Sequence, residues 1–444
     1  MMADKPHRYH GALFASFFVH TRFLEVFIMT TTVRKGVKTL PTLLLISTSY
    51  IAVFTSIQGF KAMLPLVEEE FGISGAQAGL YSTFFYTSGV ILAIFSGRIV
   101  DKLGSRAGLL FGAFTIGVLM VLHALSPAFF VLLILALVTG VGFTIVTPSV
   151  NKAIVYLVDP SKRAVSNGLV HAGGGVGGIV GASILPSLGE TFGWRPALLV
   201  ASAIAFVMTA ILWRFFTVDT NGDDNEEEDE TTSFKEDMLR LIRNRAAIMT
   251  TFIGLLMGTT LGNMTIHYTL FLTGDMGFSP SLAGIALSLF IFGGIIGNPG
   301  VGFINDKFLG SNRRLGIMLQ GLVITGMFLI MAFILFPTQP HTAILLTFSF
   351  LFGMMGFAII GLLFTSVADT VDSKLLGTAT GVALLFARLA MVITPPIVGR
   401  IADVSGNYQM SWLFVAGLAL AVVLTFFFTT RNHKDDLYGS RASE

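Results

Sequence analysis

Gly97-Arg98-Ile99-Val100-Asp101-Lys102-Leu103-Gly104-Ser105-Arg106 returns in the second half of the chain as Gly302-Phe303-Ile304-Asn305-Asp306-Lys307-Phe308-Leu309-Gly310-Ser311-Asn312-Arg313. Each copy sits where one long apolar run ends and the next begins. Two parallel halves with a charged turn at the same place in each are the build of a secondary transporter.

Composition points the same way. The chain has 444 residues, of which 53% are hydrophobic and only 12% charged. A soluble domain carries about 25% charged residues, so polar surface is too scarce to face water. The 41 Phe suit lipid contact, and the 48 Gly let membrane helices approach closely. A net charge of +2 gives no electrostatic basis for nucleic-acid binding. With no cysteine there are no disulfides, thiol nucleophiles or Cys-ligated metals. The eight His are scattered, so no metal constellation appears. Gly173 to Gly178 lies in an apolar run and lacks the Lys-Ser/Thr ending of a phosphate loop. No cofactor is expected, and ATP-driven transport is unsupported.

A helix needs about 20 apolar residues to cross a bilayer. Such runs number twelve: 40–62, 76–97, 106–125, 128–151, 165–188, 194–215, 246–272, 280–301, 314–336, 342–366, 376–398 and 408–430. The fold class is therefore an all-α membrane protein with twelve transmembrane helices in two pseudo-symmetric six-helix bundles. The flanks and loops on one side hold twenty Lys and Arg, among them Arg34, Lys35, Lys38, Lys102, Arg106, Lys162, Arg163, Arg313 and Arg314. The other side holds three, Lys61, Arg195 and Arg400. Cationic loops resist translocation, which places both termini in the cytoplasm. The expected location is a bacterial plasma (inner) membrane, with the lipid bilayer as the surrounding partner.

The division that follows is an N-terminal tail over 1–37, a first bundle over 38–215, a linker over 216–245, a second bundle over 246–431 and a tail over 432–444. The linker carries Asp223, Asp224, Glu226, Glu227, Glu228, Asp229 and Glu230, a self-repelling run expected to stay solvated. Residues 11–29 are apolar but interrupted by His20, Arg22 and Glu25, and Met29 opens a more ordinary start. Residues 1–28 read either as an over-extended start or as an interfacial helix.

Twelve spans in two halves, with this charged turn after the second and eighth, resemble the major facilitator superfamily. The turn matches that family's Gly-x-x-x-Asp-(Arg/Lys)-x-Gly-(Arg/Lys)-(Arg/Lys) pattern at Gly97, Asp101, Lys102, Gly104 and Arg106, with Ser105 departing. In the second copy Gly302, Asp306, Lys307 and Gly310 match, and Arg313 is displaced. The resemblance implies that these residues gate the cytoplasmic side, Asp101 facing a helix N-terminus or an Arg. Pro148 to Ala153, Gly168 to Pro186 and Phe192 to Arg195 look like the nitrate/nitrite, cyanate and organic-anion branches. Nitrate is disfavoured because the second and eighth spans lack an internal Arg. Drug–proton antiport loses two supports: Leu137-Val138-Thr139-Gly140 has no Arg, and Gly173 to Gly178 has no Pro.

Gly173, Gly177 and Gly181 recur every four residues on one helix face, the spacing at which small residues let backbones approach. They read as a smooth face between moving halves, or as static close packing.

Ionisable groups within a span cost on the order of 2.5–3.5 kcal/mol on insertion scales, so each needs a reason. Arg388 stands near the middle of the eleventh span, and no acidic residue sits at comparable depth. A guanidinium there would bind a carboxylate or other oxyanion through its planar fork. Backbone carbonyls or water at a helix break are the alternative. Lys152 and Asn151 lie just inside the fourth span; the lysine either snorkels or adds a cationic contact. His171, in the fifth span, is a candidate for proton coupling or a neutral hydrogen-bonding group. Asn263 and His267, four apart, share a face of the seventh span. In the resembled family the first, fourth, seventh and tenth spans line the cavity, which implies cavity roles for Tyr50, Asn263 and His267.

The reading is a monomeric, non-enzymatic carrier of a small organic anion working by alternating access, with H+ or Na+ as coupling ion. Its rivals are a proton-driven exporter of amphipathic drugs and a receptor that kept the transporter fold without flux.

Overall fold

The computed structural model describes residues 39–92, 95–159, 162–218, 245–309, 312–338, 340–370 and 376–430. Both tails, almost all of the acidic linker and Gly310 lie outside these residues, as do the surroundings of Gly302 and the side chain of Asp306.

Twelve apolar runs become twelve helices, and no strand occurs among the described residues. They are α1 (Thr39–Ala62), α2 (Gly75–Leu92), α3 (Ser96–Ala124), α4 (Phe129–Leu157), α5 (Arg163–Phe192) and α6 (Trp194–Phe215) in the first half. The second half holds α7 (Arg245–Leu270), α8 (Pro280–Phe308), α9 (Arg313–Ile330), α10, α11 (Leu376–Ser405) and α12 (Gln409–Thr430). Helix α10 is built from Thr342–Phe352 and Ile359–Thr370, joined through a π-helical turn at Gly353–Phe357. Two more π turns, Phe271–Asp275 and Met331–Leu335, extend α7 and α9. All three lie in the second half, and the run lengths gave no sign of them.

Among the described residues ten helices are long and apolar enough to cross a bilayer by composition alone. The chain is an integral multi-pass membrane protein. Its large exposed side chains are apolar, Phe111, Phe114, Phe130, Trp213 and Phe428 among them, as contact with lipid requires.

Two loops are more ordered than expected. The Glu68-Glu69-Glu70 stretch, between the first two apolar runs, lies in a short helix, Leu64–Phe71, started by Pro65 and ended by Gly72 at φ 61°. The first charged turn is largely helical and breaks at Gly104, whose φ of 79° and ψ of 160° suit only glycine.

Lipid offers no hydrophobic drive to join helices, so close backbone contact must do it. A Cβ on Gly173 would lie 2.8 Å from the Ser47 carbonyl, and one on Gly177 would lie 2.5 Å from that of Ile51. Gly181 abuts Thr55 in the same way. This corrects the reading of that row as the moving face: it packs α5 against α1 within one half. The second half repeats the device, with Gly254 and Gly258 against the Ala383 and Ala387 carbonyls of α11.

The halves meet through α2 against α11 and α5 against α8. Gly79 faces Pro395, whose backbone a Cβ there would approach to 2.5 Å. Ser82 donates to the Met391 carbonyl (3.0 Å) and Thr83 to that of Val392 (2.6 Å). Ser288 of α8 donates to the Ile179 carbonyl of α5 (3.1 Å), and Ser281 bonds Glu190. These contacts lie toward the end opposite the charged turns, so that end is sealed.

Candidate functional site

The innermost bond across the two halves belongs to Arg388. Its Nη1 donates to the Gly89 carbonyl of α2 at 2.8 Å. The guanidinium stem lies directly against the glycine, since a Cβ at Gly89 would stand 3.4 Å from Arg388 Cδ and Nε and 3.3 Å from Thr144 Oγ1. One neutral carbonyl leaves most of a five-donor guanidinium unspent. The described ion pairs, Lys152–Asp101 and Arg195–Glu70, do not involve it.

Tyr86 stands one helical turn before Gly89, hence on the same face of α2, and within electrostatic range of Arg388. Its hydroxyl accepts from Lys61 Nζ at 3.2 Å. That ammonium also lies 4.8 Å from the Tyr86 ring centroid and 5.2 Å from that of Phe85. Lys61 is fully buried, which corrects its reading as an outer-loop cation. Position 61 stands at the edge of the apolar run 40–62, where a lysine reads as the first residue of a loop. A buried cation whose described contacts are a hydroxyl and two ring faces is an unbalanced charge. Two cations thus flank one tyrosine between the halves, and together they can hold an anion.

The other candidates fall into separate groups. Tyr50 of α1 is buried, donates to Thr147 of α4 (3.2 Å) and packs against the His171 ring, 4.8 Å between centroids. Asn263 of α7 is wholly buried; its amide donates to Thr394 of α11 (2.8 Å) and to the Thr259 carbonyl (2.7 Å). Its Oδ1 is left without a hydrogen-bond partner. His267, one turn on, is buried between the Pro395 carbonyl (2.7 Å) and the Tyr408 hydroxyl (3.2 Å). A carbonyl only accepts, so His267 Nε2 carries the proton and Nδ1 accepts from Tyr408. Both ring nitrogens are therefore occupied inside the second half.

Lys152 joins the first charged turn. Its Nζ lies 3.1 Å from the Asp101 carbonyl and 3.5 Å from its carboxylate. Asn151 is exposed beside it. The expected facing of Asp101 toward a helix N-terminus or an Arg is replaced here by this lysine. Arg106 reaches the far end of α6, donating to the Phe216 (2.6 Å) and Trp213 (3.0 Å) carbonyls. A guanidinium there satisfies otherwise open acceptors and the negative end of the helix dipole. Lys307, in the second copy, is exposed over the Phe303 and Phe308 rings. Among the described residues no group of His, Cys, Asp and Glu could hold a metal ion.

The family profile described as Major Facilitator Superfamily matches residues 46–273 and 254–442, once over each half. The chain belongs to that superfamily. A probable sulfoacetate transporter of Cupriavidus necator is 23% identical over 380 residues, covering 81% of this superfamily chain and 86% of that one. A multidrug resistance protein of Yersinia enterocolitica is 27% identical over 306 residues, covering 65% and 69%. A bacterial homologue of the human lysosomal transporter Spinster, solved inward-facing and unoccupied, superposes with a TM-score of 0.68 at 17% identity, over 88% of this chain and 96% of that one. This superfamily member is a secondary transporter and not an enzyme.

Proposed function

We propose that the protein carries a small organic anion across a bacterial inner membrane, with the charged turns on the cytoplasmic face. Arg388 is the anion anchor and Lys61 a second cationic contact. The observation that carries this reading is the pair of cations around Tyr86 at the seam of the two halves, neither joined to a carboxylate among the described residues. The sulfoacetate relative adds support, since its named solute is an organic anion. Substrate anion would neutralise the site and draw the halves together there, and its release on the other side would let them part. His171, packed on the Tyr50 ring, is the candidate for proton coupling, and H+ or Na+ supplies the gradient.

Sulfoacetate is the first probe. Purified protein should show a thermal shift with it, and proteoliposomes should take it up. Arg388→Gln should weaken binding by about 2 kcal/mol or more, roughly thirtyfold. Lys61→Met should do the same, while Arg388→Lys should retain part of the affinity. Dye efflux that Arg388→Gln leaves untouched, with no response to any carboxylate or sulfonate, would favour the drug-export reading instead.

A further inference from the structure

The end away from the charged turns is closed by a carboxylate of one half on a helix start of the other. Asp403, in the last turn of α11, accepts from the backbone N–H groups of Gly75 (2.7 Å) and Ala76 (3.0 Å), the first residues of α2. A helix start offers unpaired N–H groups and partial positive charge, so an ionised carboxylate is held firmly there. The seam is tight: a Cβ on Gly75 would lie 3.1 Å from both Asp403 Oδ1 and the Tyr408 hydroxyl.

Two further carboxylates come to this seam. Asp275, just after α7, accepts from the Tyr408 N–H at 2.6 Å. Glu68, on the short helix of the first half, is within electrostatic range of Asp403 and Asp275. None of the described hydrogen bonds goes to its carboxylate. The neighbouring groups are all otherwise placed. Glu70 is held by Arg195 and Trp194, Glu69 is exposed, and Lys61 turns inward to Tyr86. Tyr408 donates to His267, and Arg400 is exposed one turn before Asp403. Among the described residues no cation pairs with the three carboxylates.

We propose that this seam is a proton-sensitive latch, which closes when Glu68 carries a proton and parts when that proton is lost. Two backbone N–H groups hold the Asp403 carboxylate and one holds that of Asp275, where burial works against that donor and pushes the carboxyl up. Glu68 has none, so it is the member that takes up a proton from the water on that face as the halves come together. The proton returns there when they separate. Burial first, then Asp403 and Asp275, push the Glu68 carboxyl up to about 7. Parting the halves removes all three causes and lets it fall toward the ordinary carboxylate range. The closed form thus binds the proton more tightly. Its advantage is full below that ordinary range and is lost as pH rises through about 7. The inference rests on alternating access and not on the anion reading.

The protein has no cysteine, so one introduced thiol is a clean probe. Ser82→Cys sits in the sealed seam, and Thr83→Cys is a second probe of the same contact. Met410→Cys, 53% exposed on the same end, corrects for the reagent's own pH dependence. A membrane-impermeant maleimide is added to the face that labels Met410→Cys, with no substrate present. The ratio of seam to surface labelling should rise several-fold from pH 5 to pH 8. Glu68→Gln, permanently neutral, should hold the ratio low throughout, and Asp275→Asn should move the midpoint to lower pH. Strong seam labelling of Glu68→Gln at every pH, or an unchanged pH profile in that variant, would overturn the proposal.

Discussion

Arg106 shows how one side chain of the repeated turn serves the structure. It spends two donors on the last carbonyls of α6 and so ties the charged turn to the end of the first bundle. Arg106→Ala should leave those acceptors open and lower stability by about 1 kcal/mol. Thermal unfolding of purified protein in detergent would measure it, and Arg106→Lys should recover only part. Residue identity was the least legible level of the sequence. Arg388 could be picked out because a guanidinium in mid-span has no cheap explanation. Lys61 could not, because a lysine at the edge of an apolar run looks like a loop residue until the fold buries it. Lys152 looked like a pocket residue for the complementary reason: its depth was readable, but its direction depends on where Asp101 lands. Asn263 and His267 share a face of α7, as their spacing required, yet that face turns to α11 and Tyr408.

At the scale of elements, spacing reveals a small-residue face but not what it touches. Gly173, Gly177 and Gly181 promised close contact, and the contact is with α1 of the same half. The row facing the other half is offset: Gly175 meets Ile295 and Gly178 meets Ile291 of α8. These two rows predict different failures. Gly177→Leu drives a side chain into the Ile51 backbone and should prevent a monodisperse fold, read by size-exclusion chromatography of a fluorescent fusion. Gly175→Leu meets only a flexible isoleucine end, so it should fold but slow substrate flux. Gly104 makes a third case, because its backbone angles are open to glycine alone. Gly104→Ala should cost on the order of 1–3 kcal/mol, visible as a lowered unfolding temperature. The π turns in α7, α9 and α10 went unseen because one extra residue in a helix changes neither its length nor its hydropathy appreciably.

For the whole molecule, duplication was legible at once, since two copies of one charged turn at matched depth require two similar bundles. The state of the seam was not legible, because a sequence specifies both ends of an alternating-access cycle equally. The described cross-half bonds run from Gly75 to Gly89 on α2, and from Asp403 to Arg388 on α11. The Thr83 hydroxyl donates to the Val392 main-chain carbonyl between the halves at 2.6 Å. A reducible bis-thiol crosslink between Thr83→Cys and Val392→Cys should lock this end shut and stop flux, and reduction should restore it. Undiminished flux with the bridge intact would mean that the halves do not part along this seam.

Arg388 and Asp403 belong to one helix, 15 residues or about 22 Å apart, with Pro395 and Pro396 between them. On the proposed reading, a solute held at Arg388 in mid-helix would pull on Asp403 in the last turn. Occupancy of the binding pocket and acidity of the medium become two hands on the same lever. The proline pair is its weak joint, and a variant that stiffened or loosened it would uncouple the two signals and turn a carrier into a leak.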